Sequence, residues 1–248
     1  MGRELTRRIE LDATPEQVWE AIATGPGISA WFVPHEVQER EGGAVSARFG
    51  GGFDATGEVR AWEPGRRFVY GAAEPPPDGA ADYAYEFLVE GREHGSTVLR
   101  MATSGFLPGD DWAAEYDAMT KGTDLFFATL ATYLRHFAGR TAVPVTVFGP
   151  MITDWTRART TLTAALGLPA DPRPGDRAHA AGLLDGEVYF ANEDTVGIRT
   201  PGALFRFLRG FAGPVIAGHH LFDGSDPGAQ ERAWQAWLTT TFSGKDAS

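Results

Sequence analysis

Along Glu4–Leu11 the apolar residues Leu5, Ile9 and Leu11 fall among charges with a period of two, which predicts a half-buried strand. The pattern then changes. In "TPEQVWEAIA" Thr14 can cap a helix, Pro15 suits its first turn and Gln17 stands three residues after the cap, while Val18, Trp19 and Ile22 form the apolar face. Gly25-Pro26-Gly27 is expected to stop this helix, because proline cannot continue it and glycine supplies the reversal. A second short helix carrying Ile28, Trp31 and Phe32 is expected to follow. After Pro34 the texture becomes antiparallel β. "AVSARFG", "GFDATGEVRAWEP", "RRFVYGAA", "ADYAYEFLVEG" and "STVLRMATS" read as a five-stranded meander, separated by stretches of Gly, Pro and Asp. Alternation puts Tyr83, Tyr85, Phe87 and Val89 on one face and Glu86 and Glu90 on the other.

From Asp110 to Phe137, Trp112, Tyr116, Met119, Thr123, Phe126, Leu130, Tyr133 and Phe137 recur at spacings of four and three, one continuous stripe along a long helix. Its midpoint is small, at Gly122 and Thr123. Either space is wanted there, or a bulky sheet residue such as Phe87 fills it, since each buried methylene is worth roughly 0.8 kcal/mol.

The remaining residues repeat this grammar in reduced form. "VPVTVFG" predicts a strand, and "TDWTRARTTLTAALG" a helix capped at Thr153 and ended by Gly167. Three or four strands follow across "GLLDGEVYFAN", "TVGIRT", "LFRFLRG" and "GPVIAGHHLF", and "DPGAQERAWQAWLTTTF" predicts a terminal helix buried through Ala233, Trp234, Trp237, Leu238 and Thr241. The expected organisation is therefore an α+β domain over residues 1–140 and a smaller, degenerate α+β copy over residues 145–248, with Pro144 at the boundary.

Charge supports two segments, for the first 140 residues hold 13 basic and 22 acidic side chains, net −9, whereas the rest hold 9 and 11, net −2. The overall charge of −11 makes a nucleic-acid partner unexpected, because a phosphate-backbone binder would need a basic stripe. With no cysteine in 248 residues, disulfides, thiolate metal sites and a cysteine nucleophile are excluded. A cytoplasmic location is expected: no apolar run reaches the roughly 20 residues of a membrane span, and the N-terminus has no secretory signal core.

"TPEQVWEAIATGPGISAWFVP", with "GEVRAWEPGRRFVYG" and the long helix after it, resembles the SRPBCC (START/Bet v1-like) superfamily, most closely the branch similar to the C-terminal domain of the activator of Hsp90 ATPase. The resemblance covers about residues 4 to 138 and implies a helix-grip fold, in which an antiparallel sheet wraps a long C-terminal helix around a cavity. It also implies that Trp31 and Phe32 close one end of that cavity; Phe32 stands where the family often has a second Trp. The motifs recur across many activities, so they indicate fold better than substrate.

The function expected is binding of a small hydrophobic or aromatic ligand, in a cavity lined by Trp31, Phe32, Phe53, Tyr70, Tyr85, Phe87, Met101, Trp112, Tyr116, Met119, Thr123 and Phe126. The alternative is an acid/base enzyme of the polyketide cyclase, dehydrase or hydrolase type, for which His35, Glu36, Tyr70, Tyr85, Glu86, Arg100 and Tyr116 are candidate groups. A chaperone-associated role has less support, since the resemblance lacks a chaperone-binding domain. No cofactor is implied. His219 and His220, with His179 and Asp223, are the nearest approach to a metal cluster, but adjacent strand residues point to opposite faces. The expectation is one histidine buried against the terminal tryptophans and one solvated, with no metal. Neither a nucleophile elbow nor a nucleotide fingerprint is present. Whether the second half holds a pocket of its own is a separate question.

Overall fold

A computed structural model describes residues 4–51, 54–73, 84–91, 96–104, 112–210 and 213–243, and the side chains of 112–119 lie outside that description. The chain divides into two compact units, Met1–Thr141 and Ala142–Ser248.

In the first unit β1 (Glu4–Leu11) leads into α1 (Pro15–Ala23) and α2 (Gly25–Ser29). The start of α1 is the expected capping box: the Gln17 backbone N–H donates to Thr14 Oγ1 at 3.3 Å, and the Thr14 N–H donates to Gln17 Oε1 at 2.9 Å. The first helix ends at Ala23 as expected, and Gly25-Pro26-Gly27 itself forms the first turn of the next one. Thr24 caps it, its Oγ1 accepting the Gly27 N–H at 3.0 Å, and a proline in a first turn lacks only an N–H that would be unsatisfied there anyway. Since α2 ends at Ser29, Trp31 and Phe32 stand in the turn beyond it rather than on a helix.

Six more strands follow: β2 (His35–Val37), β3 (Ala44–Arg48), β4 (Asp54–Glu63), β5 (Arg67–Gly71), β6 (Ala84–Gly91) and β7 (Thr97–Ser104). The order β1-β7-β6-β5-β4-β3-β2 is antiparallel throughout and returns the first strand to the last. The five expected strands are present; β2, only three residues long, was not anticipated. The chain then enters α3 (Trp112–Phe137). Within the expected stripe Thr123, Leu130, Tyr133 and Phe137 are buried, but so are Leu125, Phe127, Thr129 and Leu134, so this half of α3 is covered on more than one side. An ion pair from Arg7 Nε on β1 to Asp124 on α3, 3.3 Å long, ties helix to sheet edge.

The second unit contains β8 (Val143–Met151), α4 (Trp155–Ala165), β9 (Arg177–Ala180), β10 (Leu184–Ala191), β11 (Thr195–Arg199), β12 (Ala203–Arg209), β13 (Pro214–Leu221) and α5 (Pro227–Phe242). Pro144 lies inside β8. The cap of α4 is Asp154, one residue after the expected Thr153, with Asp154 Oδ1 accepting from the Arg157 N–H at 3.1 Å. Five strands follow α4 rather than three or four, the extra one being β9. The order β8-β13-β12-β11-β10-β9 again sets the first strand beside the last, behind a helix and before a terminal helix. The second unit is thus a smaller copy of the same α+β plan. Its core centres on Trp234, Leu238 and Phe242 of α5 against Phe205 and Phe207 of β12.

Candidate functional site

Strand alternation builds one aromatic wall on the inner face of the first sheet. Phe68 and Tyr70 of β5 pair across the strands with Phe87 and Tyr85 of β6, which pair with Met101 and Thr103 of β7. Tyr70 stacks on Tyr85 with ring centroids 5.2 Å apart, and Phe68 lies 5.1 Å from Tyr70. Trp62 extends the wall at 5.4 Å from Phe68, and Trp19 of α1 meets Trp62 edge-on at 5.1 Å.

The segment after α2 brings a second set of rings to this wall. Trp31 is buried and donates its Nε1–H to the Ala21 carbonyl at 2.8 Å, so the indole fastens the turn onto α1. Phe32 stacks on Trp31 at 5.6 Å and reaches Phe126 of α3 edge-on at 4.0 Å. The two adjacent aromatics therefore have separate tasks: Trp31 anchors and Phe32 bridges to the long helix.

His35 occupies the inner face of β2. Its backbone N–H donates to Ser29 Oγ at 2.8 Å, which locks the strand to the end of α2. The ring stacks on Phe32 at 5.4 Å and meets Tyr70 edge-on at 6.1 Å. Nδ1 lies 2.8 Å from the Val33 carbonyl oxygen, whereas Nε2 is buried with no hydrogen-bond partner among the described residues. Burial lowers the imidazole pKa to about 4, so the ring is neutral at pH 7. Glu36, one position on, faces outward and pairs with Arg48.

Three hydroxyls accompany His35. Those of Tyr70 and Tyr85 form no hydrogen bond among the described residues, and burial raises the pKa of both, leaving them protonated donors. Thr103 Oγ1, on the strand position paired with Tyr85, is fully buried and also without a partner. A polar side chain stranded among apolar ones costs about 1–3 kcal/mol, and native structures carry few of them.

Of the residues expected to line the site, Trp31, Phe32, Tyr70, Tyr85, Phe87 and Phe126 stand together in this ring network, Met101 is buried beside Phe87, and Thr123 is buried on α3. Phe53 and the side chains of Trp112, Tyr116 and Met119 lie outside the described residues. Among the acid/base candidates His35, Tyr70 and Tyr85 face the wall. Glu86 points to the opposite face, where its Oε1 accepts from Arg67 Nε at 2.7 Å, and Arg100 shares that face by alternation. Phe68 and Thr103 were missed: Phe68 lies in a continuous apolar run, and an inward threonine on a strand reads simply as a β-former.

Gly122 bears on the space at the centre of α3, since among the described residues a Cβ built there would meet nothing nearer than Phe126 Cε2 at 4.0 Å. Gly122→Ala is expected to raise stability by about 0.5–1 kcal/mol through helix propensity alone, measured by urea denaturation. A loss of stability would mean that the space is not open.

In the second unit His219 is buried between Trp234, Phe205 and Phe207 at 4.8, 4.9 and 5.3 Å. His220 is also fully buried, so the expectation that one of this pair is solvated is incorrect; both faces of β13 are covered at this point. Burial, reinforced by the Arg206 charge, lowers the His219 pKa to about 3. Among the described residues no three His, Asp or Glu side chains are grouped as metal ligands would be. A cavity of about 360 Å³ opens in this unit, with Phe205, Leu184 and Leu221 among its apolar lining and His179, Asp223 and Gln230 among its polar lining. The second half therefore has a pocket of its own.

A strand, two short helices, an antiparallel meander closing back on the first strand and one long helix define a helix-grip protein. The chain belongs to the polyketide cyclase/dehydrase and lipid transport family of the SRPBCC superfamily, whose model matches residues 3–138. No curated protein matches it. Among solved structures, a Mesorhizobium loti protein is 25% identical, with 54% of this chain and 98% of that one covered at a TM-score of 0.49. The di-domain ARO/CYC protein BexL, from the BE-7585A biosynthetic pathway, is similar over 97% of this chain and 95% of its own at 16% identity and a TM-score of 0.49. DynU16, a putative protein of the dynemicin biosynthetic locus, is similar over 96% and 94% at 19% identity and a TM-score of 0.46. No helix among the described residues is long and apolar enough to cross a membrane.

Proposed function

We propose that the first unit binds a small hydrophobic or aromatic ligand between its sheet and α3, against the wall of Phe32, Tyr70, Tyr85, Phe87 and Phe126. The observation that carries this reading is the pair of buried polar atoms, Thr103 Oγ1 and His35 Nε2, that have no partner among the described residues on an otherwise aromatic surface. Apolar walls with a few convergent polar groups are how proteins hold small molecules, the rings supplying affinity and the polar atoms orientation. Membership of a family described by polyketide cyclase/dehydrase activity and lipid transport supports a ligand-binding or cyclase-type role. A second reading, acid/base catalysis of cyclisation or dehydration, is favoured by the neutral His35 beside the same wall, because a base needs a free lone pair within reach of its substrate.

Thermal denaturation with naphthols, flavonoids, polyketides and fatty acids tests the binding. A true ligand at a hundredfold excess over Kd is expected to add about 2.7 kcal/mol. Gly122→Leu, which pushes a side chain toward the Phe126 ring, is expected to weaken that stabilisation at least tenfold in Kd while the protein stays folded, an effect of about 1.4 kcal/mol. If the stabilisation is the same in Gly122→Leu, the ligand binds elsewhere. Turnover of a compound that binds would decide for the second reading.

A further inference from the structure

The geometry around His35 specifies the ligand more narrowly, on the reading that the aromatic wall is a binding site. A carbonyl oxygen cannot donate, so the 2.8 Å contact of Nδ1 with the Val33 carbonyl requires the ring proton to sit on Nδ1. In the neutral ring Nε2 then carries only a lone pair. It is an acceptor, it is buried, and no described residue satisfies it. Its position is fixed from both sides: the backbone is held by Ser29, and the ring is stacked on Phe32 and set against Tyr70. On the same wall Tyr70, Tyr85 and Thr103 present hydroxyls, which can donate or accept. Unlike these hydroxyls, His35 Nε2 can only accept.

We propose that His35 Nε2 accepts a hydrogen bond from a phenolic or enolic hydroxyl of the bound molecule, so that the site selects hydroxylated aromatic compounds over their ethers and over carboxylates. An ether of the same shape leaves the lone pair unsatisfied. A carboxylate sets its own lone pairs against Nε2 and leaves that acceptor without a donor. Because His35 is neutral and holds its proton at Val33, it cannot donate to a ligand carbonyl from Nε2; that task falls to the tyrosines.

Three probes of one shape test this on the full chain: 2-naphthol, 2-methoxynaphthalene and 2-naphthoate, with binding measured by equilibrium dialysis. The naphthol is expected to bind about tenfold more tightly than the ether, with the naphthoate weakest. His35→Phe keeps a ring against Phe32 and removes the lone pair. In that variant naphthol and ether are expected to fall within about twofold of each other. Tyr70→Phe, in contrast, retains the preference for the hydroxyl. Nitrogen-15 NMR of the wild-type protein is expected to show His35 Nε2 unprotonated when free and shifted when naphthol binds, and this needs no variant to fold. Equal binding of naphthol and ether, a preference that survives His35→Phe, or a proton on Nε2 would each overturn the proposal while leaving a ligand site in place. If none of the three compounds binds, the binding site itself falls.

Discussion

Replacing Gly27 by alanine is expected to destabilise the first unit by more than about 3 kcal/mol, near the upper end of what one added methyl group does. A Cβ at this position would stand 1.9 Å from the Glu20 carbonyl oxygen and 2.8 Å from its carbon, with Thr24 Oγ1 at 2.7 Å. Two of these three atoms are backbone in the last turns of α1, so no side-chain rotation relieves the clash and α2 has to move as a body. Moving α2 also disturbs what it positions: the Thr24 cap on the Gly27 N–H, the Ser29 bond to the His35 backbone, and the turn that carries Trp31 and Phe32. Ligand binding should therefore fall together with stability. Gly65→Ala separates close approach from backbone strain, since Gly65 has φ of +73° with nothing within 4 Å of a built Cβ. Its cost is expected to be about 1–2 kcal/mol, with binding intact. Chemical denaturation of the two variants beside the wild type makes the comparison, and a Gly27→Ala protein as stable as Gly65→Ala would refute the close-packing argument.

Gly27 also shows where the sequence is ambiguous. A Gly-Pro-Gly run after a helix reads equally as a stop and as the first turn of another helix. What decides is Thr24, three residues before Gly27, whose hydroxyl accepts the Gly27 N–H at 3.0 Å; this cap is local, and the Gly-Pro-Gly run masks it. The capping box of Thr14 and Gln17 was legible because both partners are local. Strands β2 and β9 were not: three and four residues are too few to display a period, and each exists because a neighbouring strand offers it a ladder. The extra burial on α3 escaped for a related reason, since a stripe identifies the most apolar face of a helix without limiting burial to it.

The site divides along the same line. Period-2 alternation and the hairpin turns are enough to align Tyr70, Tyr85 and Phe87, so the aromatic wall could be read directly. The polar groups on it could not. His35 was visible as a residue type, but its burial follows from β2 pairing with β3 and from Glu36 turning outward to Arg48. Thr103 gave no signal, because only the register with Tyr85 places its hydroxyl on the wall. Chemistry that depends on which polar atoms lack partners becomes legible only once every partner has been placed.

The same buried imidazoles predict how the protein responds to acid. A histidine in the unfolded chain titrates near 6.5, whereas burial holds His35 at about 4 and His219, which also feels the Arg206 charge, at about 3. Between these values and 6.5 the unfolded chain takes up a proton that the native state refuses. The stability associated with each neutral ring is therefore complete above pH 6.5 and is lost as the pH falls toward the folded value. At pH 4 each site is expected to have cost on the order of 3 kcal/mol, against a total of 5–15 kcal/mol for a typical domain. Each unit carries one of the two residues, so each should have its own acid-sensitive transition. Urea denaturation at pH 7.5, 5.5 and 4.5 should show stability falling throughout this range. His35→Phe is expected to flatten the fall in the first unit, because the variant has no imidazole to protonate in either state, and His219→Phe should do so in the second. A wild-type profile level from pH 7.5 to 5, or a slope unchanged in both variants, would show that these rings are not the groups that take up the proton.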